Sequence, residues 1–592
     1  MRTLFQAFPG RTALLAAFAL IEGALPAAFA ALVGVLIGAL PAAVSGGFGS
    51  AGGHRVVLTL VWIGVVLVVQ ELVSSVKAVT SNDLYRRFDA HLLGAIMAAA
   101  MDWPDLDLFD DPEKAAALDR ARKMAAYGPG ELVSGLSTKW QTLSQGAASA
   151  VLLAVYFPYA AIPLALLWVL FGRALQASYY RANPFWAEPL RRADYLKRLG
   201  TMPDWAKELR IFGLVEWIAD RFTGQWRQVM AELQRARRAD HRVMAAWSTA
   251  LFLGNAGATA LVVRSAWTGS LGLGGLAVAT QAIFGMALLA SQQGDIWIEN
   301  GAVPVPEVHA LQDMVADRPG EVAGRTADAL PARSIRFEHL SFTYPGRSEP
   351  VYDDFDLEIE AGTSLAVVGI NGAGKTTLVK LLTGLCHPQR GRITVDGTDL
   401  SALTTASWRR AVGAIFQDFV HYELPARENV GFGAVEMLGD PGSDARVQAA
   451  AHSAGAKALV DGLPRGLDTT LSRRFDGGVD LSGGQWQRIA LARALMAVEG
   501  GARVLVLDEP TAHLDVRAEA DLFDRFLDLT RGLTTVLISH RFSTVRRADR
   551  IVVLDAGRVV EDGSHADLVA AGGRYAHMFR LQADRYVGDH SG

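Results

Sequence analysis

The chain has 592 residues, 51% of them hydrophobic, and a mean hydropathy of +0.20. It is long enough for more than one domain and apolar for a chain living wholly in water. A formal charge of −4 argues against nucleic acid as a partner, because that calls for a strongly basic domain. A single cysteine, Cys386, excludes a disulfide within the chain and reads as a small buried apolar side chain.

The first lysine is Lys77, and two apolar runs precede it, Leu14–Leu40 and Val56–Val76. At 1.5 Å per residue each crosses a hydrocarbon core of ~30 Å. Arg2, Arg11 and Ala28-Phe29-Ala30 imitate a cleaved secretory signal, but the run is too long for one and a second span follows. The Gly/Ser-rich loop Pro41–Arg55 is almost uncharged, whereas Lys77–Lys123 carries Arg86, Arg87, Asp89, Lys114, Arg120 and Arg122. Positive charge collects on the cytoplasmic side, so the second stretch is inside and the first outside. Two further apolar segments follow, Leu132–Phe157 and Ala160–Tyr180, then the basic stretch Arg181–Arg242, too polar to span. A last pair, Met244–Trp267 and Leu271–Ile296, completes six expected spans, with both termini and both long loops cytoplasmic.

Each long loop has an amphipathic piece at its tip, 104–120 and 203–222, with Asp105 and Asp204 beside prolines in good helix-start chemistry. These are candidates for docking on a cytoplasmic ATPase and passing its motion to the spans. Glu22, Asn255 and Gln281 fall inside spans. Such groups either line a wet path or hydrogen-bond between helices; Glu71 and Arg264, nearer span ends, can snorkel. The polar, Pro/Gly-punctuated stretch Asp313–Ala332 reads as a linker.

From Ser334 the composition becomes soluble. Ile335–Thr343 alternates like a strand and leads into Tyr344, placed to stack on an adenine ring. Gly369-Ile370-Asn371-Gly372-Ala373-Gly374-Lys375-Thr376 then fits G-x-x-x-x-G-K-[ST], between a β-branched run and a helical one. Glycine lets successive N–H groups turn toward one anion, and the helix N-terminus adds partial positive charge. The phosphate-binding candidates are therefore Asn371, Gly372, Ala373, Gly374, Lys375, Thr376 and Thr377, with the Thr376 hydroxyl also a ligand for Mg²⁺.

Gln417 follows the strand-like Val412–Phe416, and is a candidate for contact with the metal and with a moving partner. Val504–Leu507 ends in Asp508 and Glu509, the pattern of a buried parallel strand with its ligand-binding end polar. Asp508 is the second metal candidate, and Glu509 is the group to polarise an attacking water. His540, after TTVLIS, is a candidate for the γ-phosphate. Leu481-Ser482-Gly483-Gly484-Gln485 opens a strong helix and makes a second phosphate cradle of Ser482, Gly483, Gly484 and Gln485. One ATP already has a P-loop, so the second cradle calls for a head-to-tail dimer in which each closes on the other subunit's nucleotide.

In this order these motifs, with Ala512-His513-Leu514-Asp515 and Ser539-His540-Arg541, resemble the ATP-binding-cassette exporters, over about Ser334 to the C-terminus. The resemblance implies an α-helical membrane domain of six transmembrane helices, over 1–312. It further implies a linker at 313–333 and an α/β P-loop NTPase cassette over 334–592. It adds Asp515 to the ATP-binding set, a homodimer or heterodimer in the cytoplasmic membrane, and a second loop that docks on the opposite cassette. ATP and Mg²⁺ are the implied cofactors, and an exported peptide, antibiotic or amphipathic small molecule the cargo. A siderophore importer, a lipid flippase and an ATP-gated channel or regulator are the alternatives. The stretches 415–430 and 475–494, Trp486 and Phe109–Glu113 look like lanthipeptide and other peptide-antibiotic exporters. Only a short lead precedes the first span, so no peptidase domain is expected and peptide cargo would be trimmed elsewhere. Two features depart from the pattern: Glu-Arg-Gly is missing before the second cradle, and His513 replaces a small residue.

Overall fold

The computed structural model describes residues 2–47, 49–125, 128–181, 188–202, 205–318, 324–509, 526 and 528–588. The chain divides into two compact units, residues 1–98 with 120–312 and residues 99–119 with 313–592. The first-loop segment 99–119 thus clusters with the cassette.

The first unit is helical. Its long helices run Pro9–Gly46, Ala51–Met101, Glu131–Tyr156, Pro158–Arg181 and Val215–Trp267, followed by Leu273–Gly285. Five described segments are long and apolar enough to cross a bilayer. Glu131–Tyr156 has 26 residues, about 39 Å at 1.5 Å each, but carries Glu131, Lys139 and Gln141 near its start. The Ala51–Met101 helix exposes Leu58, Val61, Trp62, Val68 and Leu72, side chains suited to lipid. Residues 215–242 of the basic stretch form a polar extension of the Val215–Trp267 helix. Small residues set one crossing: a Cβ on Gly274 would lie 2.1 Å from the Gly34 carbonyl oxygen, so only glycine permits that approach.

The expected span Leu271–Ile296 overlaps a segment, Leu273–Ala316, that is long and apolar enough to cross a bilayer but is not one regular α-helix. The Leu273–Gly285 helix tightens into a 3-10 stretch, Met286–Ala290, opens at Ser291–Gly294 and resumes as Asp295–Ala302. Lys139 Nζ donates to the Ser291 carbonyl (3.0 Å) and pairs with Asp295 (2.9 Å), while Gln292 donates to the Gly172 carbonyl (3.2 Å). These side chains take up groups that an unbroken helix would satisfy itself. Glu22 is paired with Lys77 at 2.6 Å, and Lys77 also donates to Gln141 at 2.7 Å; here the inter-helix reading holds. Asn255 donates to Leu251 of its own helix, and Gln281 is exposed.

The loop tips differ from single helices. Asp107–Asp110 and Pro112–Ala125 are helical, but Pro104–Leu106 is not. Asp204 and Pro203 lie outside the described residues, and Ala206–Ile211 is a short helix before a turn at Phe212–Leu214.

The second unit has two sheets. Strands β1 (Ser334–Phe342), β2 (Tyr352–Glu360), β4 (Arg390–Val395) and β5 (Thr398–Asp399) form an antiparallel sheet in the order β2-β1-β4-β5. In β2 Tyr352, Phe355, Leu357 and Ile359 turn inward, the period of a half-buried strand. Strands β3 (Ser364–Gly369), β6 (Val412–Ile415), β7 (Val504–Asp508), β8 (Thr534–Ile538), β9 (Arg550–Asp555) and β10 (Arg558–Gly563) form the second sheet, β10-β9-β3-β8-β7-β6. All its pairs are parallel except β10 with β9. Strands β7 and β8 are buried throughout, which explains their unbroken apolar sequence. The ends of β3, β6, β7 and β8 therefore emerge along one edge.

Candidate functional site

The P-loop joins β3 to the helix Lys375–Leu382. Gly372 and Gly374 have φ of 83° and 106°, which side chains with a Cβ rarely adopt. Tyr352, buried on β2, donates its hydroxyl to the Gly374 carbonyl at 2.8 Å. A Cβ on Gly374 would meet that same hydroxyl at 2.8 Å. Asn371 and Thr376 are exposed, and Ala373 is buried with its N–H on the Ile370 carbonyl. Lys375 Nζ rests on the carbonyls of Gly369 (2.8 Å) and Ile370 (3.0 Å), contacts that a phosphate would replace. Tyr344 lies just beyond β1, its hydroxyl 3.2 Å from Thr377 Oγ1.

Asp508 ends β7. Burial first, and the neighbouring charge of Glu509 second, push its carboxyl up to about 6; a hydrogen bond from Thr376 and the charge of Lys375 oppose the shift. Among the described residues its Oδ2 is buried without a hydrogen-bond partner. An orphaned carboxylate oxygen beside a threonine hydroxyl, with a glutamine amide nearby, is a hard-oxygen donor set. Thr376, Asp508 and Gln417 thus fit a magnesium ion.

Glu509 follows β7 with φ +47°, in the left-handed region, and its N–H bonds the Ile538 carbonyl. Its carboxylate accepts from Gln417 Nε2 at 3.1 Å, and His540 Nδ1 stands 3.2 Å from the other oxygen. Gln417, Glu509 and His540 come from the ends of three adjacent strands and converge on one carboxylate.

Ser482–Gln485 is elsewhere in the cassette. It opens the helix Gly483–Glu499, whose core partners include Val447, Ala450 and Leu463. Among the described residues no hydrogen bond joins Ser482–Gln485 to the P-loop. Ser482 and Gly483 are exposed, Gly484 is half-buried, and the Gln485 side chain accepts from the Ser482 N–H at 2.8 Å. Gln485 is thereby engaged in capping its own helix. Asp515 and His513 lie outside the described residues.

Sequence reasoning missed Tyr352 and Lys380. Tyr352 sits in an ordinary alternating strand and carries no motif. Lys380 lies on the P-loop's own helix, but its partner Asp110 is 270 positions away in sequence.

The "ABC transporter" family model matches residues 352–512. Over nearly its whole length the chain also superposes on a solved structure, a bacterial Atm1-family ABC exporter with ATP bound. That match has a TM-score of 0.71 and covers 98% of this chain and 99% of the other, at 24% identity, so it speaks for the fold. Residues 352–512 thus carry an ABC transporter ATPase domain, fused to a helical unit in a chain that shares the fold of that solved exporter. The exporter-fold chain is also similar to curated proteins. One is an ATP-dependent lipid A-core flippase of Aromatoleum aromaticum, 37% identical over 47% of this chain and 45% of the flippase. Another is the subtilin transport ATP-binding protein SpaT of Bacillus subtilis, 27% identical over 79% of this chain and 76% of SpaT. The match thus spans about half the length of the flippase, which it resembles more strongly but less completely.

Proposed function

We propose that this chain is half of an ATP-driven exporter in the cytoplasmic membrane, hydrolysing ATP as a dimer and moving an amphipathic molecule or peptide outward by alternating access. The observation that carries the reading is the convergence of Gln417, Glu509 and His540 beside a P-loop lysine and a buried, partly unsatisfied Asp508. In this reading Lys375 exchanges its carbonyl contacts for the β- and γ-phosphates. Glu509 takes the proton of the attacking water, His540 donates to the γ-phosphate, and Gln417 holds the Glu509 carboxylate in place. Magnesium, held by Thr376, Asp508 and Gln417, would neutralise phosphate charge. ATP favours the closed dimer because only that state engages both cradles, and loss of the γ-phosphate removes the preference.

The second cradle supports dimerisation: Ser482 and Gly483 are exposed, at a helix start with no hydrogen bond to their own P-loop among the described residues. The apolar second-loop segment, with Ile211, Phe212, Val215 and Trp217 exposed, supports docking on another surface. SpaT's name favours a peptide cargo and the flippase names a lipid. Reconstitution in bilayers, with ATP turnover measured against candidate peptides and labelled lipids, tests both. Turnover that no membrane cargo stimulates, with no vectorial accumulation, would overturn the reading.

A further inference from the structure

Segment 99–119 is seated on the cassette by contacts away from the phosphates. The Leu106 N–H donates to the Leu385 carbonyl at 3.0 Å, Arg409 donates to the Pro104 carbonyl, and Asp105 pairs with Arg318 and lies 3.1 Å from His387. From this seat Asp110 reaches Lys380 Nζ at 3.3 Å. The same ammonium lies over the Tyr344 ring, 5.1 Å from its centroid. The ring is fixed further by an edge contact with Phe342 at 5.0 Å and by its hydroxyl on Thr377. Pro112 packs close to Gly346, two residues past Tyr344. The aromatic expected to stack on the base therefore has two cations over its ring, Arg347 at 5.9 Å and the nearer Lys380, which the first loop holds through Asp110.

We propose that Lys380, anchored by Asp110, is a positioning residue for the nucleotide base, so that base binding and the seating of segment 99–119 are energetically coupled through Tyr344. A base stacks well only on a ring whose plane is set beforehand. An ammonium over a ring is attracted to its face, and a carboxylate that fixes the ammonium fixes the plane. Burial alone pulls the Lys380 pKa down, but Tyr344 and Asp110 outweigh it and the net shift is upward, so the group stays cationic. The coupling is reciprocal: whatever lifts Asp110 off Lys380 weakens base binding, and base binding strengthens the seat.

The proposal rests on the ATPase reading, and the test separates the two. Full-length chain in bilayers is assayed for ATP turnover and for inhibition by inorganic tripolyphosphate, which carries no base. Lys380→Gln should raise the KM for ATP about three- to tenfold, the worth of one cation–ring contact. The tripolyphosphate inhibition constant should not move, and Lys380→Arg should restore the parent KM. Asp110→Asn should act in the same direction, and combining it with Lys380→Gln should add nothing. An unchanged KM in Lys380→Gln, an equal loss for ATP and tripolyphosphate, or additive effects would each overturn the inference. Absence of turnover in the parent chain would instead sink the ATPase reading.

Discussion

His540 Nδ1 stands 3.2 Å from Glu509 Oε1, while Gln417 Nε2 holds Oε2 at 3.1 Å. Both oxygens of one carboxylate are thus held by neighbouring side chains. Glu509→Gln keeps the shape and removes the basic oxygen pair. It should bind ATP with near-parental affinity and lose turnover by about 100-fold or more, the usual scale of a positioned base. Steady-state phosphate release beside equilibrium nucleotide binding reads both numbers; hydrolysis at the parent rate would unseat Glu509.

Tyr352 ties β2 to the P-loop through the bond from its hydroxyl to the Gly374 carbonyl at 2.8 Å. Tyr352→Phe leaves the ring packed among Phe355 and its neighbours and removes one of two hydrogen bonds to a carbonyl that the Leu378 N–H also reaches, at 3.0 Å. The expected cost is about 0.5–1.5 kcal/mol, the net worth of one hydrogen bond, visible as a lower unfolding midpoint of the detergent-solubilised chain. Because Gly374 shapes the phosphate cradle, the KM for ATP should rise as well. A stability loss with an unchanged KM would confine Tyr352 to packing.

The candidate phosphate site was legible because each residue sits at a strand end or helix start that local pattern marks. Lys375 follows a glycine run, Asp508 closes an apolar strand, and Gln417 and His540 each come two residues beyond one. Parallel pairing then does the rest, since Ile415 lies opposite Leu507, and Leu507 opposite Leu537. Tyr352 and the Asp110–Lys380 contact were not legible. They join residues 22 and 270 positions apart, and nothing local distinguishes them from a core tyrosine and a solvated lysine. The break at Ser291–Gly294 was missed for a different reason. Hydropathy stays high on both sides of it, and the groups that make the break tolerable, Lys139 and Gln292, reach distant segments.

Asp396 organises the entry to β1. Its carboxylate accepts the N–H groups of Ala332 (2.7 Å), Arg333 (2.7 Å) and Ser334 (2.9 Å). Partial burial raises its pKa, but those backbone bonds outweigh it and the net shift is downward. A folded pKa below the unfolded one gives stability that is present above the ordinary aspartate range and lost as pH falls through the folded value. Asn tolerates the same left-handed backbone, φ +51°, but offers one oxygen instead of two. Asp396→Asn should cost about 1 kcal/mol at neutral pH, the group being open enough for solvent to screen it. The difference from the parent should shrink as the medium is acidified below pH ~4. A gap that persists unchanged in acid would mean the carboxylate charge contributes nothing.

If each nucleotide is clamped by the P-loop of one chain and Ser482–Gly484 of another, defects in the two cradles should complement. Lys375→Met removes a charge from the phosphate side, and Ser482→Arg blocks the exposed start of the Gly483–Glu499 helix. Each variant alone carries two damaged sites per dimer. A mixed dimer carries one site with both faults and one with neither. Co-assembled, differently tagged chains purified through both tags should therefore regain turnover, up to about half the parent value if the sites act independently. Were each chain to close its own two cradles on one nucleotide, the mixture would contain no intact site. Activity would then stay at the level of the single variants, and the head-to-tail arrangement would be wrong.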